Sequence, residues 1–148
     1  MSADLPQLYQ QVILDHNRHP RNYRVIEGGR SAEGYNPICG DRITVYLRVE
    51  GEVIRDVSFQ GSGCAISKAS ASLMTDSVIG LTLADAHVLL DRCHRMITAP
   101  PEAPIENLGP LTVLAGVRHF PIRFKCARLP WQALRAAADA SDGMISTE

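Results

Sequence analysis

Long apolar runs are missing from this 148-residue sequence, and so is any clustering of positive charge. No segment approaches the roughly 20 apolar residues of a membrane-spanning helix. The start of the chain carries Asp4 and no basic lead ahead of a greasy core, so it does not read as a signal peptide. A cytoplasmic protein without a membrane partner is the expectation. Lysine and arginine number 15 against 16 acidic residues, a formal net charge of -1, and no basic run is interleaved with aromatics. That distribution argues against an electrostatic grip on nucleic acid. Internal repeats and dividing linkers are also missing. At 148 residues and 45% hydrophobic content the chain has the size and apolar supply of one core, so residues 1–140 read as a single domain and 141–148 as a flexible tail.

Cysteine is sparse, at 4 residues, and no Cys-x-x-Cys pair occurs. In a reducing compartment such cysteines serve as thiols, metal ligands or sulfur carriers rather than as a disulfide framework. Three of them have telling neighbours. Cys39 opens Cys39-Gly40-Asp41, Cys64 follows Gly61-Ser62-Gly63, and Cys126 follows Arg123-Phe124-Lys125. With Asp41 they make one hard and three soft candidate ligands, the number that a tetrahedral zinc or an iron-sulfur cluster requires. The competing reading is that these cysteines are small buried hydrophobes and that Asp41 only caps a turn. Cys93 lies on the apolar face of a helical pattern and reads as core. The five histidines lack a His-x-x-x-His spacing and read as surface or packing residues, although His119 lies close enough in sequence to Cys126 to approach it. No Gly-Lys-Ser/Thr follows the Gly-Ser-Gly run, which argues against a nucleotide cradle.

Periodicity places these residues on elements. Leu5, Leu8, Tyr9, Val12 and Ile13 recur at helical spacing until His19-Pro20. Residues 23–37 read as loop with one edge strand, ending at the Asn36-Pro37 turn signal. Ile43, Val45, Leu47 and Val49 alternate strictly, and Val53, Val57 and Phe59 share a face of a second strand, with the hairpin turning at Glu50-Gly51. Cys39 precedes this hairpin and Cys64 follows it, so antiparallel pairing brings the two to the same end of the sheet. Ala65 to Val78, rich in alanine and serine, reads as a helix packed closely on the sheet. Cys64 then sits at its N-terminus, where unpaired N–H groups and the dipole favour a thiolate. Thr82-x-x-Asp85 opens a further helix carrying Leu83, Ala86, Leu90, Cys93 and Ile97 on one face. Residues 98–110, with four prolines, form a loop, Leu111 to Val117 a short helical stretch, and Leu129 to Ala138 a last helix with Pro130 at its first turn.

The segments Tyr9-Gln-Gln-Val-Ile-Leu-Asp-His, His19-Pro-Arg-Asn22, Asn36-Pro-Ile-Cys-Gly-Asp41, Gly61-Ser-Gly-Cys-Ala-Ile-Ser67, Ala69-Ser-Ala-Ser72 and Lys125-Cys126 resemble, in this order, the SufU branch of the IscU/NifU-like iron-sulfur assembly proteins. The resemblance implies an α+β fold, a small antiparallel sheet with helices on one face and a metal site exposed at one end. It further implies one zinc held by Cys39, Asp41, Cys64 and Cys126. A pyridoxal-phosphate cysteine desulfurase of the SufS type is the implied partner. Its persulfide sulfur passes to Cys39 when a desulfurase histidine takes the coordination position of that cysteine, and Arg123 steadies the freed thiolate or the persulfide. Suf scaffold proteins would take the sulfur onward. Scaffold-type relatives, on which an iron-sulfur cluster itself is built, carry a histidine immediately before the last cysteine, where this sequence has Lys125. They also have a shorter interval between their second and third cysteines. Both departures favour a zinc-dependent sulfurtransferase over the alternative, a cluster scaffold. A third reading is a zinc that only holds the fold.

Overall fold

The computed structural model describes residues 5–37, 40–139 and 144–146. Helix α1 (Leu5–Arg18) is followed by strands β1 (Arg30–Asn36), β2 (Asp41–Glu50) and β3 (Val53–Ser62), then by α2 (Ala65–Val78) and α3 (Leu83–Thr98). Two 3₁₀ segments, Gly109–His119 and Pro121–Arg123, lead into α4 (Phe124–Ala138), and a short strand β4 (Met144–Ser146) follows. The architecture is the expected α+β sandwich of sheet and helices. The sheet runs β3-β2-β1-β4, antiparallel through its first three strands, with β4 parallel to β1 along Glu33 to Tyr35. The C-terminal stretch read as a frayed tail thus includes a paired strand.

Strict alternation in β2 puts Ile43, Val45 and Leu47 fully inside. Helix α4 lies across β1 and β2, and α2 packs against β3 while also filling the space between α1 and α4. Its alanines and serines suit that crowded position, and Ala69, Ser70, Ala71 and Ser72 are all buried. The serines are satisfied as burial demands. Ser70 Oγ donates to the Ala127 carbonyl at 2.7 Å and accepts from the Trp131 indole at 3.1 Å, which ties α2 to α4. Ser72 Oγ meets His16 Nδ1 at 2.7 Å and ties α2 to α1.

Four local expectations are corrected. The β2–β3 hairpin turns at Gly51-Glu52, one residue later than expected, with φ of 55° and 66°. Two successive positive φ values match the right-handed twist of a two-residue hairpin. A register shift beside Arg48 and Val49 leaves Arg55 as an extra residue on β3, so the inward set is Ile54, Val57 and Phe59 rather than one that starts at Val53. In α1 the buried stripe is Tyr9, Ile13 and His16, and Leu8 is 48% exposed. Helix α4 begins five residues before Leu129, so Pro130 lies inside it. An interior proline costs about 3 kcal/mol, which the burial of Leu129, Trp131, Ala133 and Leu134 around it offsets. No described helix is long and apolar enough to cross a membrane.

Candidate metal centre

Three connections converge at one end of the sheet. Asn36 closes β1 directly opposite Asp41, which opens β2, so the connection between these strands starts and ends at this end of the sheet. Gly40 takes φ 71° in that connection. Cys39 belongs to the same connection by sequence and lies outside the described residues. On the neighbouring strand Ser62 pairs with Arg42, and Gly63 then delivers Cys64 to the N-cap of α2. Cys126 arrives from the other side, in the first turn of α4 and fully buried.

Asp41, Cys64 and Cys126 come together with their ligand atoms all within 4.8 Å of one another. Asp41 is fully buried and uses its two oxygens differently. Oδ1 accepts the Cys64 backbone N–H at 2.7 Å, while Oδ2 faces the Cys64 sulfur at 3.7 Å. Asp41 therefore binds the backbone of the residue just ahead of α2, and the same carboxylate still presents one oxygen to the cluster. Gly63 makes this approach possible. Its φ is 146°, and a Cβ there would stand 2.3 Å from Asp41 Oδ1 and 2.8 Å from Asp41 Cα. Half-buried Cys64 forms the side of the cluster open to solvent.

The Cys64 thiol is pulled down to about 6. Its hydrogen bond with Cys126 is the chief cause, followed among the favourable contributions by the Ser67 backbone N–H and the Ser67 hydroxyl; burial and the Asp41 charge oppose them. The helix N-terminus acts as expected, through Ser67, but the second cysteine acts more strongly. The thiolate is thus the form that this pocket selects at neutral pH.

These residues fit a zinc ion. Tetrahedral zinc with its usual bond lengths to sulfur and oxygen separates neighbouring ligand atoms by about 3.5–3.8 Å. The 3.7 Å between Asp41 Oδ2 and Cys64 Sγ falls in that range. Two sulfurs and one carboxylate oxygen leave one position for a further ligand. No histidine joins the group among the described residues.

The remaining candidates lie as follows. Arg123 is the N-cap of α4, and its charge, like that of Cys64, acts on Tyr9, whose phenol burial pushes up to about 12. Arg123 and Cys64 thus both lie near Tyr9. Lys125 is half-buried one residue before Cys126. Cys93 is a core residue as expected, with burial pushing its thiol up to about 12. His119 is exposed at the end of its 3₁₀ segment and His16 is buried against Ser72. Arg118 and Asn36 are among the buried polar residues that the sequence reading does not anticipate. Arg118 donates to the carbonyls of Met96, Ala103 and Pro104 at 2.6, 2.7 and 3.2 Å, fastening the proline-rich loop to the end of α3. Asn36, read only as part of a turn, lies against the metal cluster. Its signal was the inward alternation Ala32, Gly34, Asn36 in β1, which puts a carboxamide on the core face.

The family model for the NifU-like N-terminal domain matches residues 8–127. The chain is 37% identical over 142 residues to the zinc-dependent sulfurtransferase SufU of Bacillus subtilis, covering 96% of this chain and 97% of that one. It is 38% identical over 139 residues to the iron-sulfur cluster assembly scaffold protein IscU of Streptococcus pyogenes, covering 94% and 87%. A crystal structure of a proposed scaffold protein for the SUF system of Fervidobacterium islandicum superposes with a TM-score of 0.81 at 33% identity, covering 89% of this chain and 97% of that one.

Proposed function

We propose a sulfur-relay role for this chain, which belongs to the NifU-like N-terminal domain family. It is an iron-sulfur cluster assembly protein, and its part in assembly is that of a zinc-dependent persulfide acceptor. Identity alone does not choose between acceptor and scaffold, because relatives named for each are equally similar. The observation that carries the choice is the donor set: two sulfurs and a carboxylate oxygen, with Lys125 before the last cysteine and no histidine in the described cluster. An ammonium group offers no lone pair to iron at neutral pH.

Bound zinc would keep its cysteine ligands deprotonated at neutral pH. The protein groups do the rest. Cys64 and Cys126 are held at the starts of two helices that the Ser70 bonds lock together, so they serve as standing ligands. Cys39, in the segment between β1 and β2, would complete the set, and its place beside Gly40 would suit a ligand able to leave a bound zinc and return. The Cys39 thiolate attacks the terminal sulfur of a persulfide on a SufS-type cysteine desulfurase. The S–S bond of the donor breaks, its electron pair leaves on the desulfurase cysteine, and Cys39 carries the persulfide toward Suf scaffold proteins. Arg123, whose charge acts on the same Tyr9 as Cys64, would steady the anionic sulfur.

Cys39→Ala tests the reading. That variant should fold, bind the desulfurase and fail to stimulate it, whereas full stimulation would remove Cys39 from the role. Purified without chelator, the wild-type chain should hold close to one zinc and little iron. Iron with acid-labile sulfide would instead make the chain a scaffold.

A further inference from the structure

Asn36 is 1% exposed and closes β1 ahead of the segment that carries Cys39, directly opposite Asp41 in the β1–β2 ladder. Its Nδ2 lies 3.4 Å from Asp41 Oδ2 and 3.4 Å from Cys126 Sγ. Both acceptors belong to the metal cluster, and the Asp41 oxygen is the one not already taken by the Cys64 N–H. A carboxamide is placed in the core only where its bonds are made. Here it donates toward two groups that carry negative charge when they hold a cation, and such bonds are the stronger kind.

We infer that Asn36 is a positioning residue of the metal centre: its carboxamide holds the Asp41 carboxylate to single-oxygen coordination and fixes Cys126 as a standing ligand. The inference rests on the zinc reading of the site. Asp41 Oδ1 is committed to the start of α2 and Oδ2 is restrained by Asn36, so the carboxylate cannot turn to chelate through both oxygens. Cys126 is buried and is contacted from β1 as well as from its own helix. Outer partners of this kind typically set metal affinity by about 10–100-fold.

The test compares Asn36→Ala with Asn36→Asp in the zinc-loaded full chain, reading zinc release to a chromophoric chelator and the visible spectrum of the cobalt-substituted protein. Aspartate has nearly the shape of asparagine, lacks the donors and adds a negative charge. If Asn36 positions ligands, release should quicken about tenfold in Asn36→Ala and about 100-fold in Asn36→Asp. The cobalt ligand-field bands should move in both variants while thiolate-to-cobalt charge transfer persists. A residue that only fills space gives the reverse order, with Asn36→Asp near wild type, and that order overturns the inference, as does wild-type release from both. Should Asn36→Asp fail to fold by circular dichroism, Asn36→Leu replaces it as the donor-free variant of similar shape. A wild-type chain that binds zinc but accepts no sulfur overturns the relay reading and leaves this inference standing. A wild-type chain that takes up neither zinc nor cobalt overturns both.

Discussion

Cys64, at the N-cap of α2, is half-buried and its thiol is held at about 6, whereas Cys93, midway along α3, is 1% exposed and its thiol is pushed up to about 12. Burial pushes both thiols up, fully at Cys93 and in part at Cys64, so burial explains Cys93 but not why Cys64 goes down. The neighbours do. Around Cys64 stand a second thiol, a hydroxyl and a helix N–H, all able to donate to a sulfur anion. Cys93 has only the apolar packing of the helical layer. A metal or persulfide site needs a thiolate at neutral pH, and that end of the sheet is where the fold favours one, at Cys64.

The sharpest contrast should appear in metal content. Cys64→Ser and Cys126→Ser should each lose zinc on purification, a weakening beyond the ~100-fold typical of outer-partner changes. Cys93→Ala should keep wild-type zinc by elemental analysis. Retention in the first pair, or loss in the third, would break the comparison.

Native-state alkylation is expected to separate the thiols by at least about a hundredfold. With zinc stripped and the protein at pH 7, iodoacetamide should modify Cys64 first and reach Cys93 only when the chain unfolds, as followed by peptide mass spectrometry. Equal rates would mean that the two environments do not differ in the way described.

Glycines extend the contrast to the backbone. Gly63→Ala places a methyl against Asp41 and should empty the site, whereas Gly80, at φ 87° with nothing within 4 Å, belongs to the far end of α2. Gly80→Ala should cost about 1–2 kcal/mol in denaturant unfolding and leave zinc binding intact. Smaller still, Cys93→Ala should cost about 1 kcal/mol, as for loss of a methyl-sized group from a packed core.

The gentlest effect concerns His16. Burial, then the nearby Arg21 charge, lowers its pKa, against the opposing pull of Asp15 and Asp76. A histidine whose folded pKa lies below its unfolded value favours the folded state while neutral. That contribution is fully present above about pH 6.5 and is lost as pH falls toward the folded value. The drop in melting temperature between pH 7 and pH 5 should therefore shrink in His16→Gln. An unchanged slope would place the acid sensitivity elsewhere.

Much of this was legible in the sequence, because alternation in β2 and the helical spacing of α1 to α3 are local patterns that burial enforces. Cys64 at a helix start and Cys93 on a core face followed from the same patterns. What escaped was set by tertiary packing. Pro130 sits inside α4 because the apolar residues around it are buried, a gain that outweighs a local preference. The extra residue at Arg55 shifts the inward face of β3 without any glycine or proline to announce it. At the site, Asp41, Cys64 and Cys126 were nameable from their contexts, while Asn36 was not. Its partner Cys126 lies 90 positions away, and only the packing of α4 on β1 shows that they meet.

The most direct measurement is mass spectrometry of the zinc-loaded chain after incubation with a SufS-type cysteine desulfurase, pyridoxal phosphate and ³⁴S-labelled cysteine, with thiols trapped by alkylation. The account predicts one labelled sulfur added at Cys39, none at Cys93, and no label on Cys39→Ala. A brown, iron-containing chain without a persulfide on Cys39 would contradict it.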